Sequence, residues 1–185
     1  MAAIKILPGI YSVGAVDWNV RNFHGHTYAT QRGSSYNAYL IIDEKVALID
    51  TVYGPFAQEL IDNIKEIIPL ERIDYVIANH VETDHSGALP AIMPLCPKAK
   101  ILGTAKCQEG LYKHYYKNWD FQVVKTNDQL KLGRRTLTFI DDDMRIKKPW
   151  IDSSLLILDR LSGRKIRLVN LLVDDIQDRN HPIKE

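Results

Sequence analysis

The sequence predicts an α/β domain built on a mixed sheet flanked by helices. Two apolar runs, Tyr36 to Ile42 and Val46 to Ile49, are joined by Asp43-Glu44-Lys45 at hairpin spacing. From there, short apolar runs of buried-strand type alternate with segments of helical period. At 185 residues the chain is long enough for one domain with a sizeable core and too short for two generous ones.

The elements follow in order. Ile10 to Val13 reads as a first short strand after Pro8-Gly9, and the polar, aromatic stretch from Asp17 to Arg32 as strand and loop. Asp50-Thr51 ends the second strand of the hairpin. Pro55 opens a helix on which Phe56, Leu60, Ile64 and Ile67 recur at helical spacing, and Pro69 stops it. Tyr75 to Ala78 is a buried-type strand that delivers the chain into His80. A helix is expected over Ser86 to Met93, with Asp84 to Ser86 placed to cap it. Lys100 to Leu102, Phe121 to Val124 and Thr136 to Ile140 are further strands, and Lys106 to Tyr116 is a helix. Ser154 to Leu158 and Ile166 to Val173 are also strand-like.

Composition excludes several partners. Lys and Arg total 24 against 23 Asp and Glu, a net charge of +1, so neither nucleic acid nor an anionic membrane is favoured. The basic residues of 145–148 and 160–167 are interrupted by acidic neighbours and read as a solvated face. No run reaches the ~18 apolar residues of a membrane span. The N-terminal segment lacks the h-region of a signal peptide. Cys96 and Cys107 show no paired spacing and fit a reducing, cytoplasmic setting.

The chemistry concentrates in His80-Val81-Glu82-Thr83-Asp84-His85, where four potential ligands follow a buried strand within six residues. Imidazole with carboxylate suits iron, manganese or zinc. Were the loop extended, His80, Glu82 and Asp84 would share one side, with His85 aimed differently. Such a loop can serve two metals, one half donating to each. Asp50 reads as a strand-end carboxylate that orients this loop from behind or caps a turn.

His80-x-Glu82-x-Asp84-His85, followed by Ser86-Gly87, resembles the metal loop of flavodiiron proteins, also called A-type flavoproteins. The wider metallo-β-lactamase superfamily has HxHxDH and usually two zincs; a Glu in the place of Glu82 marks the diiron branch. Asp17-Trp18, Phe23-His24-Gly25, Arg32 to Asn37, Leu48 to Thr51 and Val123 to Thr126 fit the same family. The resemblance implies a metallo-β-lactamase-like αββα sandwich, represented here by its N-terminal part. It also implies reduction of dioxygen to water, or of nitric oxide to nitrous oxide, at a non-haem diiron centre. His80 and Glu82 would bind one iron and Asp84 the other, with His85 beside the second iron and a ligand only in some members. By the same likeness His24 would lie near the substrate and donate a hydrogen bond to an iron-bound oxygen species; the alternative is an ordinary loop histidine bonded locally.

The chain is expected to form a single domain over 1–185, family-like over 1–141 and divergent over 142–185. Ile146 or Lys147 occupies the place of a downstream ligand histidine, Leu171 that of the bridging aspartate, with Asp174 and Asp175 nearby, and His181 reads as a tail residue. No phosphate-binding loop of the family's FMN-carrying flavodoxin domain occurs, so a flavoprotein or rubredoxin-like donor is the expected electron source, and a homo-oligomer the expected assembly. A degenerate, non-catalytic module with a partial metal site and a dizinc hydrolase of the same superfamily are the alternative functions.

Overall fold

The structure, a computed structural model, describes residues 2–23, 28–140, 154–159 and 164–168. Strands β1 (Ile4–Leu7), β2 (Ile10–Ser12), β3 (Ala15–Asp17), β4 (Asn22–Phe23), β5 (Tyr28–Ala29) and β6 (Ser34–Tyr36) precede the predicted hairpin of β7 (Tyr39–Ile42) and β8 (Val46–Ile49). Helix α1 (Ala57–Lys65) leads to β9 (Tyr75–Ile77), the short helices α2 (Thr83–Ser86) and α3 (Leu89–Ile92), β10 (Lys100–Gly103), α4 (Ala105–Tyr115) and β11 (Phe121–Val123). Strands β12 (Gln129–Lys131), β13 (Thr136–Ile140), β14 (Ser154–Asp159) and β15 (Arg164–Leu168) complete the chain's described part.

Seven strands form one mixed sheet in the order β1-β2-β7-β8-β9-β10-β11. β8, β9, β10 and β11 run parallel, while β1, β2, β7 and β8 pair antiparallel in sequence. A second, antiparallel sheet has the order β12-β13-β14-β15.

Alternation along each central strand divides the core in two. Leu40, Leu48, Val76 and Ile101 face a cluster that contains Leu60 and Ile64 of α1, Ile92 and Leu111. Their neighbours Ile41, Ile49, Ile77 and Leu102 face the opposite way, onto Leu132, Leu137 and Phe139 of the second sheet's side. The central strands are therefore covered on both faces, which accounts for their continuous apolar runs. Helices, sheet and sheet give three layers of the expected αββα sandwich. Each fully buried aliphatic side chain contributes ~1.5–3 kcal/mol of transfer free energy.

The predicted α1 stripe holds: Leu60 and Ile64 are buried, with Phe56 and Ile67 packed at its ends. A single-turn 3-10 helix over Gly54–Phe56 precedes α1, so Pro55 initiates the segment but not the α-helix proper. The helix expected over Ser86 to Met93 is instead α2, α3 and a 3-10 turn over Met93–Leu95. Pro90 and Pro94 each sit at the first turn of a new piece, because neither has an N–H to continue the preceding one. Strands β1, β3 and β12 were not expected from sequence, and the run from Tyr36 to Ile42 divides, Tyr36 closing β6 and Tyr39–Ile42 forming β7. β1 lies ahead of the expected first strand, its apolar Ile4, Ile6 and Leu7 cut short by Pro8-Gly9 and largely exposed at the sheet edge. β12 is a three-residue strand with a single apolar residue.

Arg135 ties the layers together. It is buried, its guanidinium donates to the carbonyls of Ile42 and Pro8, and its backbone N–H donates to the Asp43 carboxylate at 2.7 Å. No described helix is long and apolar enough to cross a membrane.

Candidate metal centre

The site lies at the carboxyl ends of β8 and β9, adjacent parallel strands at the middle of the sheet, where α/β scaffolds gather functional loops. β8 ends in Asp50, whose φ of 54° is left-handed, a conformation that Asp tolerates better than most residues. This turn swings its carboxylate toward the loop that leaves β9. Asp50 Oδ1 accepts the Asn79 backbone N–H at 2.8 Å, and Oδ2 accepts the Asn79 side-chain amide at 3.2 Å. The same Oδ2 lies 3.3 Å from His85 Nδ1. An ionised carboxylate only accepts, so Nδ1 carries a proton and Nε2 is the ring nitrogen turned toward the site. The expectation that Asp50 orients the loop from behind matches this geometry.

Thr51 secures the next residue. Its backbone N–H and its hydroxyl both donate to the His85 carbonyl at 2.7 Å. From the far side, the Ser86 hydroxyl lies 2.7 Å from the Val81 carbonyl and 3.0 Å from that of Glu82. Ser86 thus points back into the loop and does not cap a following helix; neither α2 nor α3 has a side-chain cap hydrogen bond.

The ligand-type side chains meet in two pairs. His80 Nε2 is 3.4 Å from Glu82 Oε2, and His85 Nε2 is 3.4 Å from Asp84 Oδ2. The two imidazoles are edge to face with centroids 5.4 Å apart. An extended loop would have put His80, Glu82 and Asp84 on one side. Helical turning from Thr83 onward breaks that alternation and gathers Asp84 with His85 instead. Among the described residues no group of three or more such side chains converges on one point. The donors do fit a borderline cation chemically, as two imidazole–carboxylate pairs with a carboxylate holding one ring from behind. His85 responds to this setting. Burial opposes its charged form, but the Asp50 hydrogen bond and the charges of Asp50, Asp84 and Glu82 outweigh it and raise its pKa to about 9. The pocket around this ring favours a cation.

An aromatic wall adjoins the loop. Tyr36 contacts Tyr53 and Phe56, with ring centroids 5.8 and 5.2 Å away, and its hydroxyl donates to Asp17 at 3.3 Å. Burial, then the charges of Asp17 and Asp84, push its pKa well above the usual tyrosine range.

His24, proposed from sequence as a substrate-side residue, lies outside the described residues. So do Ile146, Lys147, Leu171, Asp174, Asp175 and His181. Asn79 and Tyr115 were not singled out by sequence reading. Asn79, directly between a buried strand and His80, offered a local signal. Tyr115, 29 residues from its partner Ser86, offered none.

Strand order, two buried faces and a ligand loop at the carboxyl end of a central parallel strand define a metallo-β-lactamase-type scaffold. A model of the family described as ODP family beta lactamase matches residues 35–143, more than half of the chain. The chain belongs to that family, among the flavodiiron proteins. It is 51% identical over 142 residues to a nitric oxide reductase of Moorella thermoacetica, covering 76% of this chain and 36% of that protein. It is 40% identical over 182 residues to a rubredoxin-oxygen oxidoreductase of Megalodesulfovibrio gigas, covering 95% of this chain and 45% of that protein. Among solved structures, the flavodiiron protein from Giardia intestinalis superposes with a TM-score of 0.77 at 38% identity, covering 85% of this chain and 38% of that one. The chain thus spans between a third and a half of the length of these relatives.

Proposed function

We propose that this chain carries the metal-ligand loop of a flavodiiron oxidoreductase that reduces nitric oxide to nitrous oxide or dioxygen to water. The observation that carries the reading is the paired arrangement of His80 with Glu82 and Asp84 with His85, backed by Asp50, at the end of β9. It is supported by relatives named nitric oxide reductase and rubredoxin-oxygen oxidoreductase. His80 and Glu82 would hold one iron and Asp84 the other, with His85 beside the second. When bound, the two irons supply the redox chemistry of the reduction. Asp50 and Thr51 fix the His85 ring and carbonyl, and Asn79 fixes the entry of the loop. His24 would donate a hydrogen bond on the substrate side. Electrons would arrive from an FMN-bearing flavoprotein or a rubredoxin-like donor, in a cytoplasmic setting, with residues 1–185 acting as one domain and pairing of chains as the assembly.

Anaerobic loading with Fe(II) followed by metal analysis tests this. Tightly held iron that His80→Ala removes is expected. Loaded protein with an artificial reductant should consume nitric oxide or dioxygen, and His80→Ala should not. A chain that holds no iron would instead support the second reading, a non-catalytic module, which is favoured by the pairwise rather than threefold convergence of the donors.

A further inference from the structure

α4 runs behind the ligand loop and touches it at three levels. The Cys107 thiol faces the Ala78 carbonyl at 3.6 Å. Gly110 sits so close to Val81 that a Cβ there would lie 2.7 Å from a valine methyl. In the last turn, the Tyr115 hydroxyl is 2.8 Å from Ser86 Oγ. Ser86 has one hydroxyl proton, and the carbonyls of Val81 and Glu82, 2.7 and 3.0 Å away, can only accept it. The proton of the Tyr115–Ser86 contact therefore comes from Tyr115. The result is a directed chain in which Tyr115 donates to Ser86 and Ser86 donates to the two carbonyls flanking Glu82, each bond polarising the next.

Ser86 is almost wholly buried, so water cannot replace the tyrosine freely. Tyr115 is in turn braced by the Trp119 ring, 5.7 Å away. The Val81 carbonyl before Glu82 is thus held from α4, and the Glu82 carbonyl is shared between Ser86 Oγ and the His85 and Ser86 amides. Asp50 and Thr51 hold the His85 end from beyond β8. Glu82 itself is the most exposed of the paired side chains, at 48%.

We propose that Tyr115 is a positioning residue that sets the direction of the Glu82 arm through Ser86. This rests on the metal-loop reading above for its functional meaning, but the mechanical coupling exists without metal. Tyr115→Phe keeps the ring and its packing and removes only the donor. Tyr116→Phe, which removes the hydroxyl of an 80% exposed neighbour, is the matched control. In metal-free protein, amide exchange at Ser86 and Gly87 should accelerate severalfold in Tyr115→Phe, with the melting temperature little changed and the control unchanged. With Co(II) as the probe, Tyr115→Phe should bind about tenfold more weakly, the low end for outer hydrogen-bond partners of metal ligands, and shift the visible Co(II) absorption bands. Wild-type exchange rates in Tyr115→Phe would overturn the inference, as would wild-type Co(II) affinity and spectrum. Faster exchange in Tyr115→Phe, in a chain whose wild type binds no Co(II), would uphold the coupling and overturn the metal reading instead.

Discussion

At the scale of single residues, Asp50 combines three tasks: it ends a strand in a left-handed turn, receives Asn79 and orients His85. Asp50→Asn preserves shape but removes the charge that faces the ring. Iron or Co(II) affinity should fall ~10–100-fold, readable by titration. The two cysteines make a different prediction. Burial pushes both thiols up to about 12, with a smaller push from Glu71 on Cys96 and from Asp50 on Cys107. Neither should react with iodoacetamide at pH 8 in the native chain, and both should react after unfolding; mass spectrometry decides. The sign of the linkage follows from the raised values. The unfolded thiols lose protons near 9 while the folded ones keep them to about 12, so stability is lost as pH rises through this window. Melting temperatures measured from pH 8 to 11 should decline, and Cys107→Ala should flatten part of the decline.

At the scale of elements, the α1 stripe and the central strands were legible because period and burial agree there. Ile64→Ala removes a fully buried side chain and should cost ~2–5 kcal/mol in denaturant unfolding. The ligand loop was legible as chemistry but not as shape. Its residue types announce ligands, whereas its helical turning depends on contacts distant in sequence. Gly87 shows why. A Cβ there would run into the Thr83 carbonyl and lie 2.5 Å from the Gly54 nitrogen, so the turn after β9 packs against the segment before α1. Gly87→Ala should destabilise the chain by ~1–3 kcal/mol and loosen metal binding together. No pattern local to residues 80–87 encodes that approach. Ser86 likewise reads locally as a cap, and only the arrival of Tyr115 shows what its hydroxyl serves.

For the whole molecule, the division of the core into two clusters means that one sheet is loaded from both sides. Continuous apolar runs revealed the sheet, but which neighbours covered each face was settled by topology. Arg135 is the clearest example, since nothing near it in sequence pairs with its guanidinium. Its removal in Arg135→Met should destabilise the fold by ~2–4 kcal/mol, because the carbonyls of Pro8 and Ile42 lose their charged donor. Equilibrium urea unfolding checks this, and an unchanged midpoint would mean that water satisfies those carbonyls equally well.

That same clamp has a temporal side. Pro8 and Arg135 are 127 residues apart in the chain. At synthesis rates of ~5–20 residues per second, the amino-terminal hairpin waits roughly 6–25 s for the residue that locks it. During that interval Ile10 and Ile41, buried in the finished protein, have no second sheet to cover them. The ribosome therefore presents an uncovered apolar sheet face before it presents its cover. The stage most exposed to misassociation precedes the emergence of Arg135, and it is governed by the rate of translation rather than by the stability of the completed fold.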